Sequence, residues 1–148
     1  MQASRILPDL QCSLLCEEVR QEMGGNFIII GVIGAIRVPQ LPVTAHRLTL
    51  YNRWTAGVGK FTESFRFLEP DQTTVLRKSE TKLELKDVTR NSTTLTVFGQ
   101  VEFKVAGTYY VEVLVDDVMK LRYPIRVVVI PQEGGPTPPP APPAEPVS

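Results

Sequence analysis

The sequence contains few of the residues that usually carry chemistry. Its 148 residues include one histidine, His46, and two cysteines, Cys12 and Cys16. A zinc site of cysteine and histidine needs four ligands, and no second pair is present to complete one. A cysteine nucleophile needs a base, and His46 is the only candidate. We therefore predict a protein that is not an enzyme and has no catalytic residue, no cofactor and no metal site.

An excess of charge of either sign is also missing. Lys and Arg together number 16, and Asp and Glu together number 16. Nucleic acids and anionic membranes attract proteins that carry a basic excess. We therefore expect neither nucleic acid nor a membrane as a partner.

Long apolar runs are missing as well. The longest, "FIIIGVIGAI", suits one buried strand and is shorter than the ~18 residues that span a bilayer. Near the start of the chain, Pro8 and Asp9 interrupt the apolar residues that a secretory signal would need. We therefore expect a cytoplasmic protein.

The two cysteines are four positions apart. On one strand their Cα atoms would be roughly 13 Å apart, whereas a disulfide needs no more than ~7 Å. We expect Cys12 and Cys16 to be free thiols on one face of a strand, as in a reducing compartment. The alternative is that the two cysteines are a pair of metal ligands, but the sequence has no second pair of cysteines or histidines to complete the site.

What the sequence has is repeated alternation of apolar and polar residues, which is typical of strands with one buried face. About eight strands are predicted, near residues 8–18, 27–37, 43–53, 60–68, 74–86, 94–105, 108–116 and 120–130. The side chains predicted to face the core are Leu48, Leu50, Trp54, Phe61, Phe65, Phe67, Leu83, Leu85, Leu95, Val97, Val101, Phe103, Val105, Tyr109, Val111, Val113, Val115, Leu121, Tyr123, Ile125, Val127 and Val129.

Short strands separated by turn signals indicate an all-β protein, either an antiparallel β-sandwich or a barrel. Gly107 precedes Tyr109 by two residues, just ahead of a strong strand. Immunoglobulin-like sandwiches often place a tyrosine there, with its hydroxyl bonded to the loop backbone. This detail favours an immunoglobulin-like sandwich, although ordinary core packing of Tyr109 is an alternative.

Two charged or proline-rich features lie outside the predicted core. Alternate residues of one predicted strand carry opposite charges, which indicates a solvated face; they are Lys78, Glu80, Lys82, Glu84 and Lys86. Residues 131–148 hold eight of the thirteen prolines. We predict a sandwich domain over residues 1–130 and a disordered Pro-rich tail over residues 131–148. The tail contains P-x-x-P spacings without a flanking Lys or Arg, so a linker is favoured over a peptide ligand.

The stretch "CEEVRQEMGGNF" offers three functional hypotheses. Glu17, Glu18 and Glu22 could bind a metal or act as acid and base, but neighbours on a strand point to opposite faces. Gly24 and Gly25 could hold phosphate, but a strand follows them where a phosphate loop needs a helix.

The third hypothesis makes Cys16 a nucleophile with its pKa lowered by Arg20 and with His46 as base, as in a hydrolase. A structural interpretation explains more of the stretch. In it, Gly24-Gly25-Asn26 reverses the chain, and Gly31 and Gly34 mark a bulge or a close backbone approach. One helical turn over "CEEVRQEM" is an alternative.

The segment "LLCEEVRQEMGGNFIIIGVIGAIRVP" resembles the opening signature of a family of small uncharacterised bacterial proteins. Further similarity lies in "FRFLEPDQT" and "GTYYVEVLVDD", and the match covers roughly residues 7–130. The resemblance implies one β-sandwich-like domain in a bacterial cytoplasm. It implies no activity, cofactor or catalytic residue.

The leading functional hypothesis is a non-enzymatic module that binds another protein through a sheet edge or through the tail. The partner and the oligomeric state are not predicted. The alternative is a sandwich that binds a small ligand or calcium through loops at one end that carry Asp71, Asp87, Asp116 and Asp117. A hairpin turn explains the Asp116–Asp117 pair more simply.

Overall fold

The computed structural model describes residues 5–131, which form nine β-strands and no helix. In chain order these are β1 (Asp9–Gln21), β2 (Phe27–Val32), β3 (Ala35–Val38), β4 (Val43–Thr55), β5 (Gly59–Leu68), β6 (Val75–Leu85), β7 (Asn91–Phe103), β8 (Gly107–Val115) and β9 (Val118–Val129). The predicted all-β sandwich is confirmed, and the helical alternative for "CEEVRQEM" is wrong because this segment is mostly strand.

The strands form two sheets that face each other across the core. One sheet has the order β2-β1-β4-β7, and the other has the order β3-β9-β8-β5-β6. All neighbouring strands are antiparallel except β3 and β9, which are parallel. Two facing sheets of this kind are the architecture of immunoglobulin-like domains.

Aromatic side chains fill the centre of the core. The Phe67 ring contacts the Phe103 and Tyr109 rings edge to face, with centroids 6.0 and 5.8 Å away. Such pairs contribute about 0.5–1.5 kcal/mol beyond the burial of their area. The faces predicted for β4, β5, β6 and β8 are confirmed, since all of their predicted core residues are buried.

Two loop predictions are confirmed in detail. The Tyr109 hydroxyl donates to the Val105 carbonyl at 2.7 Å, which is the tyrosine geometry of immunoglobulin-like sandwiches. Asp116 and Asp117 have φ values of 47° and 65° and connect β8 to β9. Positive φ at both central residues is typical of a two-residue hairpin turn.

The predicted strand over 27–37 is in fact two strands in different sheets. The backbone N–H of Ile33 still donates to Leu15 of β1 at 2.8 Å. After Gly34 the chain crosses to the opposite sheet, where β3 pairs with β9. A continuous apolar run does not reveal this crossing, because it gives both strands the same signal.

The face predicted for β7 is wrong in its first half. Leu95 and Val97 are exposed, whereas Phe98 packs against Phe65 in the core. Gln100 has a φ of 55°, in the left-handed region, and Val101 beyond it faces the core as predicted. The left-handed residue interrupts the alternation, so the two halves of β7 bury opposite sets of residues. Val105 lies beyond the end of β7 and is exposed.

The prediction for β9 holds only at its centre. Ile125 and Val127 are buried and Tyr123 is partly buried, but Leu121 and Val129 are exposed. Both exposed residues lie towards the ends of the strand. Val129 lies beyond the last residue pair of β8 and β9 at this end and pairs only with Val38 of β3.

The β1–β2 hairpin folds back over the outside of its own sheet. Phe27 pairs with Gln21, while Tyr51 of β4 pairs with Leu14, seven residues earlier in β1. An extended strand would separate these positions by roughly 23 Å. The Phe27 and Tyr51 rings are nevertheless 5.8 Å apart, centroid to centroid. The hairpin therefore bends, and it covers Tyr51, which is buried although it lies on the outer face.

Among residues 5–131, no helix is long and apolar enough to cross a membrane. The predicted tail lies outside the described residues, except for Pro131. The disorder of the tail and its role as a linker therefore remain predictions.

Candidate functional site

The turn inside "CEEVRQEMGGNF" is structural. The Glu22 N–H donates to the Asn26 carbonyl at 2.7 Å, and the Gly25 N–H donates to the Glu22 carbonyl at 2.9 Å. Gly25 has a φ of 95°, which favours glycine. The predicted chain reversal is confirmed.

The glutamates of this stretch do not converge. Glu18 pairs with Arg47 at 2.9 Å and with Arg20 at 3.1 Å, and hydrogen bonds from these two arginines lower its pKa. Glu17 lies on the other face of β1, against Gly31, where a Cβ would be 2.7 Å from the Glu17 side chain. Gly31 has a φ of 69°, so the prediction of a close approach to its backbone is confirmed at Gly31. It is wrong at Gly34, where a Cβ would meet nothing within 4 Å.

The two cysteines are free thiols in the structure. Cys16 is fully buried, and its thiol donates to the Thr49 carbonyl at 3.3 Å. Burial raises the pKa of Cys16, and it also raises the pKa of the partly buried Cys12. A raised pKa disfavours the thiolate, which is the nucleophilic form of a cysteine.

His46 lies in a different place from Cys16. It lines a groove of about 450 Å³ between β3 and β4, together with Glu17, Arg37 and Arg47. Cys16 does not line this groove. The structure thus brings His46 and Glu17 together but keeps the thiol away from the imidazole.

The aspartates of the calcium hypothesis lie at both ends of the sandwich. Asp71 follows β5, at the end where β6 begins. Asp87, Asp116 and Asp117 lie at the opposite end, where β6 and β8 finish. The expectation that all four share one set of end loops is therefore wrong, because antiparallel strands send their turns to alternate ends.

Groups nearby in the fold already bind three of these carboxylates. The side chain and backbone of Thr74 lower the pKa of Asp71 to about 2. Asp116 accepts from Arg5 and, at 2.9 Å, from the backbone N–H of Thr62. Asp87 accepts from Thr89 within its own turn. Across the described part of the chain, no three His, Cys, Asp or Glu side chains converge on a possible metal position.

A buried polar cluster lies between the sheets and was not predicted. Glu63 of β5 is only 1% exposed. Its Oε1 accepts hydrogen bonds from Thr94 at 2.6 Å, from Trp54 at 2.7 Å and from Asn52 at 3.0 Å. All three donors come from the opposite sheet, so the carboxyl group ties the two sheets together.

The edge strand β2 exposes apolar side chains beside a free strand edge. Ile28, Ile30 and Val32, at alternate positions, are 45%, 37% and 58% exposed. β2 pairs only with β1, so the backbone groups on its other side have no strand partner within residues 5–131. The apolar sequence suggested a fully buried strand, and this is wrong because β2 lies at the edge.

The other edge strands carry residues that discourage pairing. β6 exposes Lys78, Glu80, Lys82 and Glu84, as predicted. The short β3 contains Arg37, and β7 contains Glu102. Charged residues on an edge oppose the approach of another strand. Of the four edges in the described sheets, β2 alone has neither a charged residue nor a proline.

Similarity to known proteins is found at the level of structure and at the level of family. A crystal structure of an immunoglobulin-like protein from Pseudomonas aeruginosa is similar over 85% of this chain and 100% of that chain, with 13% identity and a TM-score of 0.39. A search of curated proteins gives no match. A model described as "Family of unknown function (DUF6941)" matches residues 11–128. The resemblance to an uncharacterised family is thereby confirmed at the level of a domain of unknown function, and the chain belongs to the DUF6941 family.

Proposed function

We propose that this domain is a non-enzymatic protein–protein interaction module of a bacterial cytoplasm, and that it binds through the open edge of β2. An extended segment of a partner can hydrogen-bond to a free strand edge while its side chains cover apolar neighbours. The observation that carries the proposal is the alternate exposure of Ile28, Ile30 and Val32 along an edge without charge.

The positions of the reactive groups support a role without catalysis. A thiol nucleophile and its base must lie within hydrogen-bonding reach of each other. Cys16 instead donates to a backbone carbonyl, and His46 lines a groove that Cys16 does not reach. The carboxylate of Glu18 accepts hydrogen bonds from Arg47 and Arg20, which pair it with two cations and keep it ionised.

The calcium alternative has less support. Calcium takes six to eight oxygen ligands, and calcium loops concentrate several carboxylates. Asp71 lies at the opposite end from Asp116, and the Asp116 carboxylate already accepts from Arg5 and Thr62.

The test is native co-purification with three full-length baits: the wild-type chain, Ile30→Lys and Val97→Lys. Lysine at position 30 places a charge in the middle of the β2 edge, so we expect the bound protein to be lost. Val97→Lys makes a matched change, since Val97 is 61% exposed on β7 at the other edge of the same sheet. This control should capture the same protein as the wild type.

A fourth bait that lacks residues 132–148 separates the edge from the Pro-rich tail. We expect this bait to capture the same protein as the full chain. Capture that survives Ile30→Lys but disappears with the truncation would contradict the proposal and favour recognition of the tail.

A further inference from the structure

We infer that the strand received by β2 is β2 of a second copy of this chain, so that two domains join in an antiparallel, two-fold symmetric dimer. The inference rests on the proposed function, because it names the occupant of the same edge. In the dimer the β1–β2 hairpins of the two copies would join into one four-stranded ribbon. A two-fold interface must be complementary to itself, and β2 meets this condition in three ways.

The first is the position of the exposed side chains. With Ile29 on the two-fold axis, Ile28 of each copy lies opposite Ile30 of the other. Residues at even positions point to one side of a strand, so these four side chains share a face and cover one another. Both residues are exposed in the single chain. The left-handed φ of Gly31 bends the strand there and centres the pairing on the segment before it.

The second is the charge pattern on β1. Arg20 lies opposite Ile28, and Glu18 lies opposite Ile30. Antiparallel pairing of the copies therefore gives each row across the sheet an arginine at one end and a glutamate at the other. Parallel pairing would give rows with the same charge at both ends, which favours the antiparallel arrangement.

The third is the supply of hydrogen bonds. A second β2 has an N–H on every residue and no charged side chain. The tail of this chain is poorly suited to the same place, since residues 132–148 include seven prolines, which lack the N–H that an edge pairs with.

The first measurement is the mass of the full chain in solution, by light scattering or sedimentation over a concentration series. The wild type and Val97→Lys should approach twice the 16.5 kDa chain mass as concentration rises. Ile30→Lys should keep the monomer mass, while its circular dichroism remains that of the wild type and its melting temperature no longer rises with concentration.

The second measurement tests the register by disulfide cross-linking. A mixture of Ile28→Cys and Ile30→Cys chains should form a mixed dimer, because these positions are opposite each other and a disulfide needs Cα atoms within ~7 Å. Each variant alone should cross-link much less. The wild type, which retains Cys12 and Cys16, reports the background.

The outcomes separate this inference from the proposed function. A wild type that stays monomeric at every concentration would overturn the dimer. If Ile30→Lys still abolished capture from lysate in that case, β2 would bind a strand of another protein and the proposed function would stand. Cross-linking of each cysteine variant with itself would overturn the antiparallel register, and dimers lost with Val97→Lys instead of Ile30→Lys would move the interface to β7.

Discussion

Glu63 shows how a single polar residue can organise an apolar core. Burial of a carboxyl group is costly unless hydrogen bonds replace its contacts with water. Three donors from the opposite sheet supply those bonds to one oxygen of Glu63. The cluster fixes the sheets relative to each other at one point, where apolar packing alone would allow them to slide.

Replacing Glu63 with Leu should destabilise the domain by about 3 kcal/mol, because it leaves the Asn52, Trp54 and Thr94 donors buried without an acceptor. Glu63→Gln keeps an oxygen in place and should cost clearly less. Chemical denaturation of the two variants measures the difference. Stability of Glu63→Leu equal to that of Glu63→Gln would show that the hydrogen bonds contribute nothing.

The sequence contained a signal for this cluster. Glu63 falls on the same alternating face as Phe61 and Phe65, and Asn52 falls between Leu50 and Trp54. Alternation therefore places both polar residues inside. The predicted core contained only the apolar residues of each face and so omitted Glu63 and Asn52. Alternation also does not say which strands face each other, so it could not pair Glu63 with its donors on the other sheet.

Tyr123 gives the fold a dependence on alkaline pH. Its hydroxyl and that of Ser13 are 3.0 Å apart across the two sheets, and burial raises the pKa of Tyr123 from 10 to about 12. The folded state thus binds this proton more tightly than the unfolded state. The stability that results is complete below pH 10 and is lost as the pH rises towards about 12.

Tyr123→Phe should remove this part of the alkaline loss of stability. Denaturation from neutral to alkaline pH, compared between wild type and variant, measures the effect. Identical pH profiles would mean that the Tyr123 proton is not linked to folding.

At the scale of elements, the β1–β2 hairpin depends on one glycine. Gly31 combines a left-handed φ with close contact to Glu17, and both conditions oppose a Cβ. Glu17 follows Cys16, the last β1 residue that pairs with β4, and beyond this point the hairpin returns over Tyr51. The exposed side of β2 is therefore a consequence of how this hairpin folds.

Gly31→Ala should destabilise the domain by about 1–2 kcal/mol, since alanine is strained at that φ. Gly24→Ala in the same hairpin is the matched control, because a Cβ at Gly24 meets nothing within 4 Å. Thermal denaturation of the two variants compares them. Equal melting temperatures would contradict the role of Gly31.

The alternation of apolar and polar residues predicted the positions of most strands well. It did not always predict which face of a strand is buried or where one strand ends and the next begins. The bounds of β5, β6, β8 and β9 lie within about two residues of those predicted, because turn residues mark their ends clearly. The face of β7 failed at Gln100, whose backbone is left-handed, although Gly99 beside it is a signal of an irregular strand. The division between β2 and β3 failed because both strands are apolar.

At the scale of the whole molecule, the sandwich followed from the number and length of the strands, whereas the candidate site did not. Alternation cannot say which strands become neighbours, and only the sheet order places β2 at an edge. An apolar strand at the centre of a sheet needs no partner, but the same strand at an edge attracts one. The functional proposal therefore depends on topology more than on any single residue.

The most direct test of this account is amide hydrogen exchange along residues 27–32. It compares the purified chain at a low concentration, where it is a monomer, with the same chain at a high concentration, where we expect the dimer. We expect slower exchange of β2 amides in the assembly, because a new strand supplies their missing acceptors, and no change in β7, the other edge of that sheet. Equal exchange of β2 in both states, or slowing in β7 alone, would contradict the account.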